Sequence, residues 1–241
     1  MISEAHIVPY KTEPLPVEEG PWLVFAPHAD DESFGMGGTL AKANAAGIQV
    51  ELVIMTDGAL GGNQNDLVAI RKEEAAAAAT LLGIKAPVFL ENKDRGLELD
   101  EKTLAQVMSE IQRVNPAAVF FPGPFELHPD HRVTAQLVWR SLQVLETQVT
   151  PVSYEILVQS PVNTLIDITN YVELKCSAMS VYQSQIDENR YESIALAMNQ
   201  LRSLTLTAEI THAEGFYKFS SKDLQKSLLE NIVGKISSFF I

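Results

Sequence analysis

Short apolar runs alternate with amphipathic segments through the first two thirds of the chain. The apolar runs occupy residues 22–26, 48–56, 87–90, 117–121 and 152–158. The segments between them have the apolar spacing of helices and occupy residues 37–46, 66–82, 99–114 and 128–145. Nearly continuous apolar runs indicate strands buried on both faces, and their alternation with helices of this length indicates βαβ crossovers. The pattern predicts an α/β fold in a single domain, with a doubly wound, largely parallel sheet and flanking helices.

The two ends of the chain are less regular. Residues 1–20 carry several prolines and glutamates, which predicts an N-terminal arm in front of a domain at 21–241. From about residue 161 the pattern becomes more helical, with candidate helices at 170–183 and 191–204. A last helix is predicted over 221–240, and its apolar stripe favours packing on the domain or on a neighbouring subunit over contact with a membrane. The stripe consists of Leu224, Leu228, Ile232, Ile236 and Phe240.

Charge narrows the class of partner. The 241 residues include 31 acidic and 18 basic side chains, a formal net charge of −13. Such a surface repels nucleic-acid phosphates and anionic lipid headgroups, so a neutral or cationic small molecule is the favoured ligand. Neither a secretory signal nor an apolar run of membrane-spanning length is recognisable, which predicts a cytoplasmic protein without an integral membrane segment. Cys176 is the only cysteine and excludes an internal disulfide, while assembly into a homo-oligomer is left open.

Ionisable side chains are concentrated just after the first predicted strand, in the segment PHADDESFGMGG at 27–38. His28, Asp30, Asp31 and Glu32 are costly to crowd against a sheet unless a cation neutralises them. His28 and Asp31 are three residues apart and can direct one imidazole and one carboxylate to a single centre. The segment therefore predicts one half of a metal site.

A second charged motif, HPDH at 128–131, follows the fourth predicted strand. In a Rossmann-like sheet the strand order is 3-2-1-4-5, so the carboxyl ends of the first and fourth strands meet at the crevice that binds ligands. His28, Asp31 and His131 then form the most economical ligand set, because two histidines, one carboxylate and an open position constitute a catalytic zinc site. Asp30 and His128 remain free to move protons. Such nitrogen and oxygen donors do not separate Zn²⁺ from Fe²⁺.

The two motifs resemble the signatures of a known family. PHADDE is similar to the P-H-P-D-D-E signature, and HPDH to the second signature, of the zinc-dependent LmbE/PIG-L de-N-acetylases. Weaker similarities are TDGALGG, RKEEAAAAATLLGI, YQSQ and AEGF, so that the resemblance extends over residues 22–216. It implies a Rossmann-like hydrolase that removes the acetyl group from an N-acetylglucosaminyl conjugate by means of a metal-activated water.

The resemblance also implies roles for individual residues. The metal ligands would be His28, Asp31 and His131. Asp30 would be the general base, and His128 would polarise the carbonyl or protonate the departing amine.

Two further positions follow from the resemblance. Asp130 would orient His128. Arg71 would contact the substrate at the edge of the pocket, with a helix-surface arginine paired with Glu74 as the equally plausible alternative. This sequence has Tyr182 where the family often has histidine, and Glu126 where some members have tyrosine.

Other functions remain open at this stage. A dinucleotide-binding oxidoreductase would use Gly35, Gly37 and Gly38 with Asp57, but the glycine spacing is wrong and the acids at 30–32 would repel a pyrophosphate. A catalytically silent binding protein could retain the metal site. Related amidases that cleave larger acyl groups, or carbamoyl groups, would use the same chemistry.

Overall fold

The protein is described by a computed structural model at residues 10–61, 65–186 and 190–237. The strands are β1 (Lys11–Glu13), β2 (Trp22–Ala26), β3 (Val50–Thr56), β4 (Val88–Asn92), β5 (Ala118–Pro122), β6 (Thr150–Tyr154), β7 (Thr164–Asp167) and β8 (Ala213–Lys218). The helices are α1 (Asp31–Ala45), α2 (Leu67–Leu82), α3 (Glu101–Val114), α4 (Pro129–Leu145), α5 (Val172–Met179), α6 (Gln183–Ile186), α7 (Tyr191–Ser203) and α8 (Leu228–Ser237).

One mixed sheet of eight strands organises the chain, in the order β1-β7-β8-β6-β5-β2-β3-β4. Strands β4, β3, β2, β5 and β6 pair in parallel, whereas β8 pairs antiparallel with both β6 and β7. The prediction of one α/β domain with flanking helices is confirmed. The five strands predicted from the apolar runs have the predicted neighbours, including the pairing of β2 with β5 that the candidate site requires.

The ends of the chain differ from the sequence-based expectation. Residues 11–13, expected in an arm, form β1 and pair in parallel with β7. The last third also supplies β7 and β8, where the sequence pattern indicated mainly helix. Strands β1 and β7 have only three and four residues, and all three strands are stabilised by pairing with segments far away in sequence, so they carry little local signal. The division of the chain at residue 20 stays a prediction.

The core lies on both faces of the sheet. Alternate side chains of the strands point to opposite faces, so Val24 belongs to one apolar cluster and Phe25 to the other. The predicted C-terminal helix is a 3₁₀ turn at Ser221–Gln225 followed by α8. Leu228 and Ile232 are buried in the second cluster, which confirms packing for this part of the stripe.

The remaining stripe residues divide as follows. Leu224 packs against the same cluster, whereas the side chain of Ile236 and all of Phe240 lie outside the described part of the chain. None of the helices in the described ranges has the length and apolar content needed to cross a membrane.

Candidate metal centre

The two charged motifs meet where β2 and β5 end. Strand β2 leads into His28 and then into α1, which begins at Asp31. Strand β5 leads through the loop at 123–128 into α4, whose N-cap is His128. Because β2 and β5 are parallel neighbours, both loops emerge at the same edge of the sheet. The pairing thus brings residues 100 positions apart in the chain into one cluster.

The three predicted ligands meet at one carboxylate oxygen of Asp31. Asp31 Oδ2 lies 3.2 Å from His28 Nδ1 and 3.2 Å from His131 Nε2. The same oxygen accepts a hydrogen bond of 2.9 Å from the backbone N–H of His28, which fixes the carboxylate in the turn. All three side chains are buried. Two imidazole nitrogens and one carboxylate oxygen therefore converge from two separate loops.

His28 has further acidic partners on its other nitrogen. Its Nε2 lies 3.2 Å from Asp130 Oδ2 and 3.3 Å from Asp94 Oδ1. The described residues contain two groups whose possible ligand atoms all lie within 4.8 Å of one another. The first group consists of His28, His128 and His131, and the second of His28, Asp94, His128 and Asp130. Neither group includes Asp31, although Asp31 Oδ2 lies 3.2 Å from two imidazole nitrogens, whereas the second imidazole contact of Asp130 is 3.9 Å long.

Asp130 is placed differently from the role implied by the resemblance. Its carboxylate is closer to His28 than to His128, whose Nδ1 is 3.9 Å away. His128 is instead held by the backbone, because the N–H of Asp130 donates to His128 Nδ1 at 3.2 Å. In the neutral tautomer that this bond requires, the proton of His128 is on Nε2.

Asp30 adopts a strained backbone conformation, with φ at 134°. Its backbone oxygen caps the start of α1 by accepting from the N–H groups of Ser33 and Phe34. Arg71 Nη2 donates to the backbone oxygen of Ala29 at 2.8 Å and reaches Asp30 Oδ2 at 3.4 Å. These contacts hold the Asp30 carboxylate beside Asp31.

The surroundings of Arg71 decide between its two interpretations. The side chain is buried, with Nη1 donating to the backbone oxygen of Gly58, so the helix-surface alternative is wrong. Glu74, the partner in that alternative, accepts hydrogen bonds from the backbone and hydroxyl of Ser184. Contact between Arg71 and a substrate stays a prediction.

The crowded charges shift the pKa values of the site. Burial opposes charge on His28, but hydrogen bonds that the imidazole donates to the carboxylates of Asp130, Asp31 and Asp94 hold its pKa well above the ordinary value. Burial likewise opposes charge on His131, yet Asp31 raises the pKa of His131 to about 9. The two histidines hold the pKa of the buried Asp31 well below its usual range.

Two other groups have pKa values shifted so that their neutral forms are favoured. Burial raises the pKa of Asp30 to about 7, an effect that Arg71 opposes and Asp31 reinforces. Burial, together with the neighbouring His28 and His131, lowers the pKa of His128. Near neutral pH, Asp30 is therefore able to exchange a proton and His128 is a neutral imidazole.

The charged cluster opens into a cleft of about 130 Å³. Its wall includes apolar and aromatic side chains from Phe34, Ile156, Leu157 and Tyr191. Polar side chains from Arg71, Arg95 and Gln185 complete the lining. The cleft combines a polar base with an apolar side, as expected for a small-molecule site.

Two acids of the centre were missed by sequence reasoning. Asp94 follows β4 and contacts His28, and the only signal that could have located it is its place at the carboxyl end of another parallel strand. Glu126 lies 3.8 Å from His131 Nδ1, and its carboxylate also accepts from the backbone N–H groups of Ile156 and Leu157.

The two positions that depart from the family pattern are both buried. Tyr182 donates its hydroxyl proton to Glu32 at 2.6 Å, and Glu32 Oε2 accepts from the backbone N–H of Asp30 at 3.3 Å. Tyr182 and Glu126 therefore support the site from behind rather than line its cleft.

Known proteins provide independent comparisons. The family model described as "PIG-L: GlcNAc-PI de-N-acetylase" matches residues 23–142. A probable N-acetyl-alpha-D-glucosaminyl L-malate deacetylase 2 from Bacillus anthracis is 28% identical over 223 residues, covering 85% of this chain and 97% of that protein. The protein of the same description from Bacillus subtilis is 30% identical over 186 residues, covering 68% and 83%.

A solved structure gives the same result for the fold. The N,N'-diacetylchitobiose deacetylase from Pyrococcus horikoshii, complexed with its inhibitor MPG, matches with a TM-score of 0.80 and 26% identity over 90% of each chain. All of these relatives are described as deacetylases of N-acetylglucosamine-type compounds.

Proposed function

Since this chain belongs to the PIG-L family of GlcNAc-PI de-N-acetylases, we propose that it is a metal-dependent hydrolase that removes the acetyl group from an N-acetylglucosaminyl conjugate. The observation that carries the proposal is the contact of Asp31 Oδ2 with one imidazole nitrogen from each of two loops, at 3.2 Å in both cases. His28, Asp31 and His131 are the proposed ligands. We propose Zn²⁺ as the metal, with Fe²⁺ as the alternative that the same donors accept.

The donor set fits a divalent cation. The buried side chains of Asp31, Asp94 and Asp130 all contact His28, so this concentration of negative charge favours a cation among them. The raised pKa values of His28 and His131 support this proposal, because the neighbouring carboxylates favour positive charge at both imidazoles. A cation held by His28, Asp31 and His131 would supply Lewis acidity, which would make a water molecule more acidic and polarise an amide carbonyl.

Asp30 is the proposed general base. Its carboxylate lines the cleft beside Asp31, and burial raises its pKa to about 7. A base with a pKa near the working pH can accept a proton from an attacking water and later pass it on. Arg71 and the N-terminal turn of α1 fix the position of this carboxylate, which removes the need to order it during the reaction.

His128 is the proposed donor to the acetyl oxygen. Its Nδ1 is occupied by the backbone N–H of Asp130, which leaves an Nε2–H able to donate to the developing oxyanion. The residue lies at the more exposed side of the centre, with 30% of its side chain accessible. Asp130 accepts from the backbone N–H groups of Arg95 and Leu97 and so ties the HPDH segment to the loop after β4.

Other parts of the proposal concern the fold and the setting of the protein. The five parallel strands and the apolar clusters on both faces support a Rossmann-like, doubly wound description of this part of the sheet. Arg71 remains the proposed substrate contact. A cytoplasmic location, the exclusion of nucleic acid and the number of subunits stay predictions from the sequence.

Acetate release tests the function. The purified protein, with its metal content measured, is incubated with N-acetylglucosaminyl malate, diacetylchitobiose and simple N-acetylglucosaminides, since relatives are named for the first two. We expect stoichiometric acetate and free amine from at least one compound, with loss of activity on chelation and recovery on adding Zn²⁺ or Fe²⁺. Release of no acetate from any compound by the metal-loaded protein would contradict the proposal.

A further inference from the structure

Two arginines line the cleft, and they differ in what their guanidinium groups contact. Arg71 is buried and is committed to the backbone oxygens of Ala29 and Gly58 and to the Asp30 carboxylate. Arg95 is exposed, and among the residues that the structure describes its guanidinium forms no ion pair or side-chain hydrogen bond. The other charged side chains of the cleft are three histidines and the acids at 30, 31 and 94. Arg95 is thus the cation of this cleft that has no protein partner in the described chain.

The backbone of Arg95 is held in an unfavourable conformation. Its φ is 55°, in the left-handed region that glycine adopts more readily than arginine. Its N–H donates to Asp130 Oδ2 at 2.7 Å, and that oxygen also contacts His28 Nε2. The strained residue is therefore anchored directly to the metal centre. A glycine would suit this backbone better, although four other non-glycine residues of the described chain have a similar φ, so the argument for Arg95 depends on the position of its side chain at the cleft.

We propose that Arg95 binds an anionic group of the substrate, a carboxylate or a phosphate, next to the N-acetylglucosamine ring whose acetyl group is removed. The inference rests on the proposed function and specifies its substrate class. A guanidinium offers five N–H donors in a planar fork, which matches the oxygens of a carboxylate or phosphate. The overall charge of −13 favoured a neutral or cationic ligand, but a single uncommitted cation at the cleft has more effect on a bound group than distant acids that salt screens.

The test compares three compounds that share N-acetylglucosamine. One is the neutral methyl glycoside, one carries a dicarboxylic hydroxy acid on the anomeric oxygen, and one is the 1-phosphate. For the metal-loaded protein we expect kcat/KM to be about 10- to 100-fold higher for at least one anionic compound than for the methyl glycoside, the range of a charge-assisted hydrogen bond. The two anionic compounds decide between carboxylate and phosphate. The preference should weaken as ionic strength rises.

Substitutions connect the preference to Arg95. Arg95→Gln should abolish most of the preference, chiefly through KM, and Arg95→Lys should restore part of it. Arg95→Gly should abolish it as well while thermal unfolding occurs at or above the wild-type temperature, because glycine relieves the positive φ and retains the N–H bonded to Asp130. Arg140→Gln is the matched control, since Arg140 is exposed on α4, nine residues beyond His131, and the charge change is the same.

The role of Arg95 and the deacetylase function can be contradicted separately. If the protein turns over the neutral glycoside without any preference for anionic compounds, or if the preference survives in Arg95→Gln and Arg95→Gly, the role of Arg95 is overturned and the deacetylase function stands. If no compound releases acetate, the deacetylase function is contradicted. Calorimetric binding of the same compounds to the wild type and to Arg95→Gln then tests the role of Arg95. That role requires the wild type to bind an anionic compound more tightly than the methyl glycoside, and Arg95→Gln to lose this difference.

Discussion

Asp31 is the side chain on which the centre depends most, because it touches a histidine from each of the two loops. Asp30 is adjacent in sequence but differs in surroundings, since it contacts Arg71 and has a pKa raised by burial to about 7. Neighbouring carboxylates in such different environments are suited to different tasks. Substitution of each aspartate should therefore separate metal binding from proton transfer.

We expect Asp31→Asn to lower metal affinity first and activity as a consequence. Asp30→Asn should retain the metal and cut turnover by about 10²- to 10⁴-fold, the usual contribution of a general base. His131→Ala should resemble Asp31→Asn, and His128→Ala should resemble Asp30→Asn. Metal occupancy measured beside kcat for all four variants checks the assignment. Loss of metal from Asp30→Asn, with metal and activity kept in Asp31→Asn, would reverse the roles of the pair.

Glu126 is expected to support His131. Its carboxylate accepts from the N–H groups of Ile156 and Leu157 and lies 3.8 Å from His131 Nδ1. Glu126→Gln replaces one acceptor oxygen with a donor that faces other donors, so we expect a stability loss of about 1–3 kcal/mol and weaker metal binding. Denaturant unfolding and metal titration measure the two effects. Glu98→Gln, on an exposed residue, should change neither, and a similar loss in both variants would argue against the role.

The sequence predicted the residues of the centre that occur in short motifs. His28, Asp31 and His131 were located by spacing and by the expected strand order. Asp94 and Arg95 were not, because the charged residues after β4 are of mixed sign, include no histidine and follow no metal-ligand spacing. Their importance comes from distances to His28 and Asp130 that only the folded chain defines.

At the scale of elements, α1 is the part of the fold that positions the site. Asp31 and Glu32 lie in its first turn, and the helix is interrupted at Met36, where φ is −140°. The backbone N–H groups of Gly38 and Thr39, just beyond, donate to the Glu214 carboxylate at 3.0 and 2.7 Å. Strand β8 thus satisfies donors that the irregular helix leaves open.

Lys175 from α5 completes this contact. Its Nζ donates to Glu214 Oε1 at 2.6 Å, and both side chains are fully buried. Lys175→Met leaves the Glu214 charge without a cation, so we expect a loss of about 3–5 kcal/mol in the free energy of unfolding. The matched control is Lys85→Met, which removes an exposed partner of Glu51 and should change stability by less than about 1 kcal/mol. Equal losses in the two variants would contradict this account.

At Gly35 the first part of α1 lies too close to Tyr154 and Glu155 to accommodate a side chain. A Cβ built there would lie 2.6 Å from the backbone oxygen of Glu155 and 2.7 Å from the ring of Tyr154. Gly35→Ala should therefore displace the start of α1, lower stability and weaken metal binding together. Gly234→Ala in α8 is the control, since its Cβ meets no described atom within 4 Å and alanine should stabilise the helix by about 0.5–1 kcal/mol. Unchanged metal affinity in Gly35→Ala would show that α1 tolerates the shift.

The same glycines show where sequence patterns have two meanings. Gly35, Gly37 and Gly38 suggested a dinucleotide-binding turn, but in the fold they allow close packing against Tyr154, Lys175 and Ile168. Helix α1 also begins at Asp31, six residues before the predicted start. The polar acids of its first turn concealed the helix, because apolar periodicity begins only after them. Local pattern identifies an element more reliably than it identifies its ends.

At the scale of the whole molecule, the parallel strands could be predicted and the antiparallel addition could not. Runs that are apolar on both faces indicate buried parallel strands, and the expected order then brought the two motifs together. Strands β7 and β8 are defined by pairing with β1 and β6 across the chain. Net charge is also a property of the whole molecule, and it does not reveal that one cleft arginine, Arg95, has no side-chain partner in the described chain.

Metal binding should couple to the stability of the entire domain. The proposed ligands come from loops that meet only when β2 and β5 pair, so the folded chain should bind the ion more tightly than the unfolded chain, which does not offer the same site. At a free metal concentration of 100 times Kd we expect about 2.7 kcal/mol of added stability. Calorimetric unfolding with and without chelator measures it, and Asp31→Asn should lose the difference.

The size of that coupling should depend on pH. Burial opposes charge on His28 and His131, but neighbouring carboxylates raise both pKa values, that of His131 to about 9. Protonation of these groups stabilises the metal-free fold fully below the unfolded pKa of about 6.5, and this contribution is lost as pH rises through 9. Because the ion requires neutral imidazoles, binding at pH 7 must release protons, and the affinity should rise with pH up to about 9. Titration calorimetry in two buffers of different ionisation enthalpy counts the protons. Binding at pH 7 without proton release would exclude His28 and His131 as ligands.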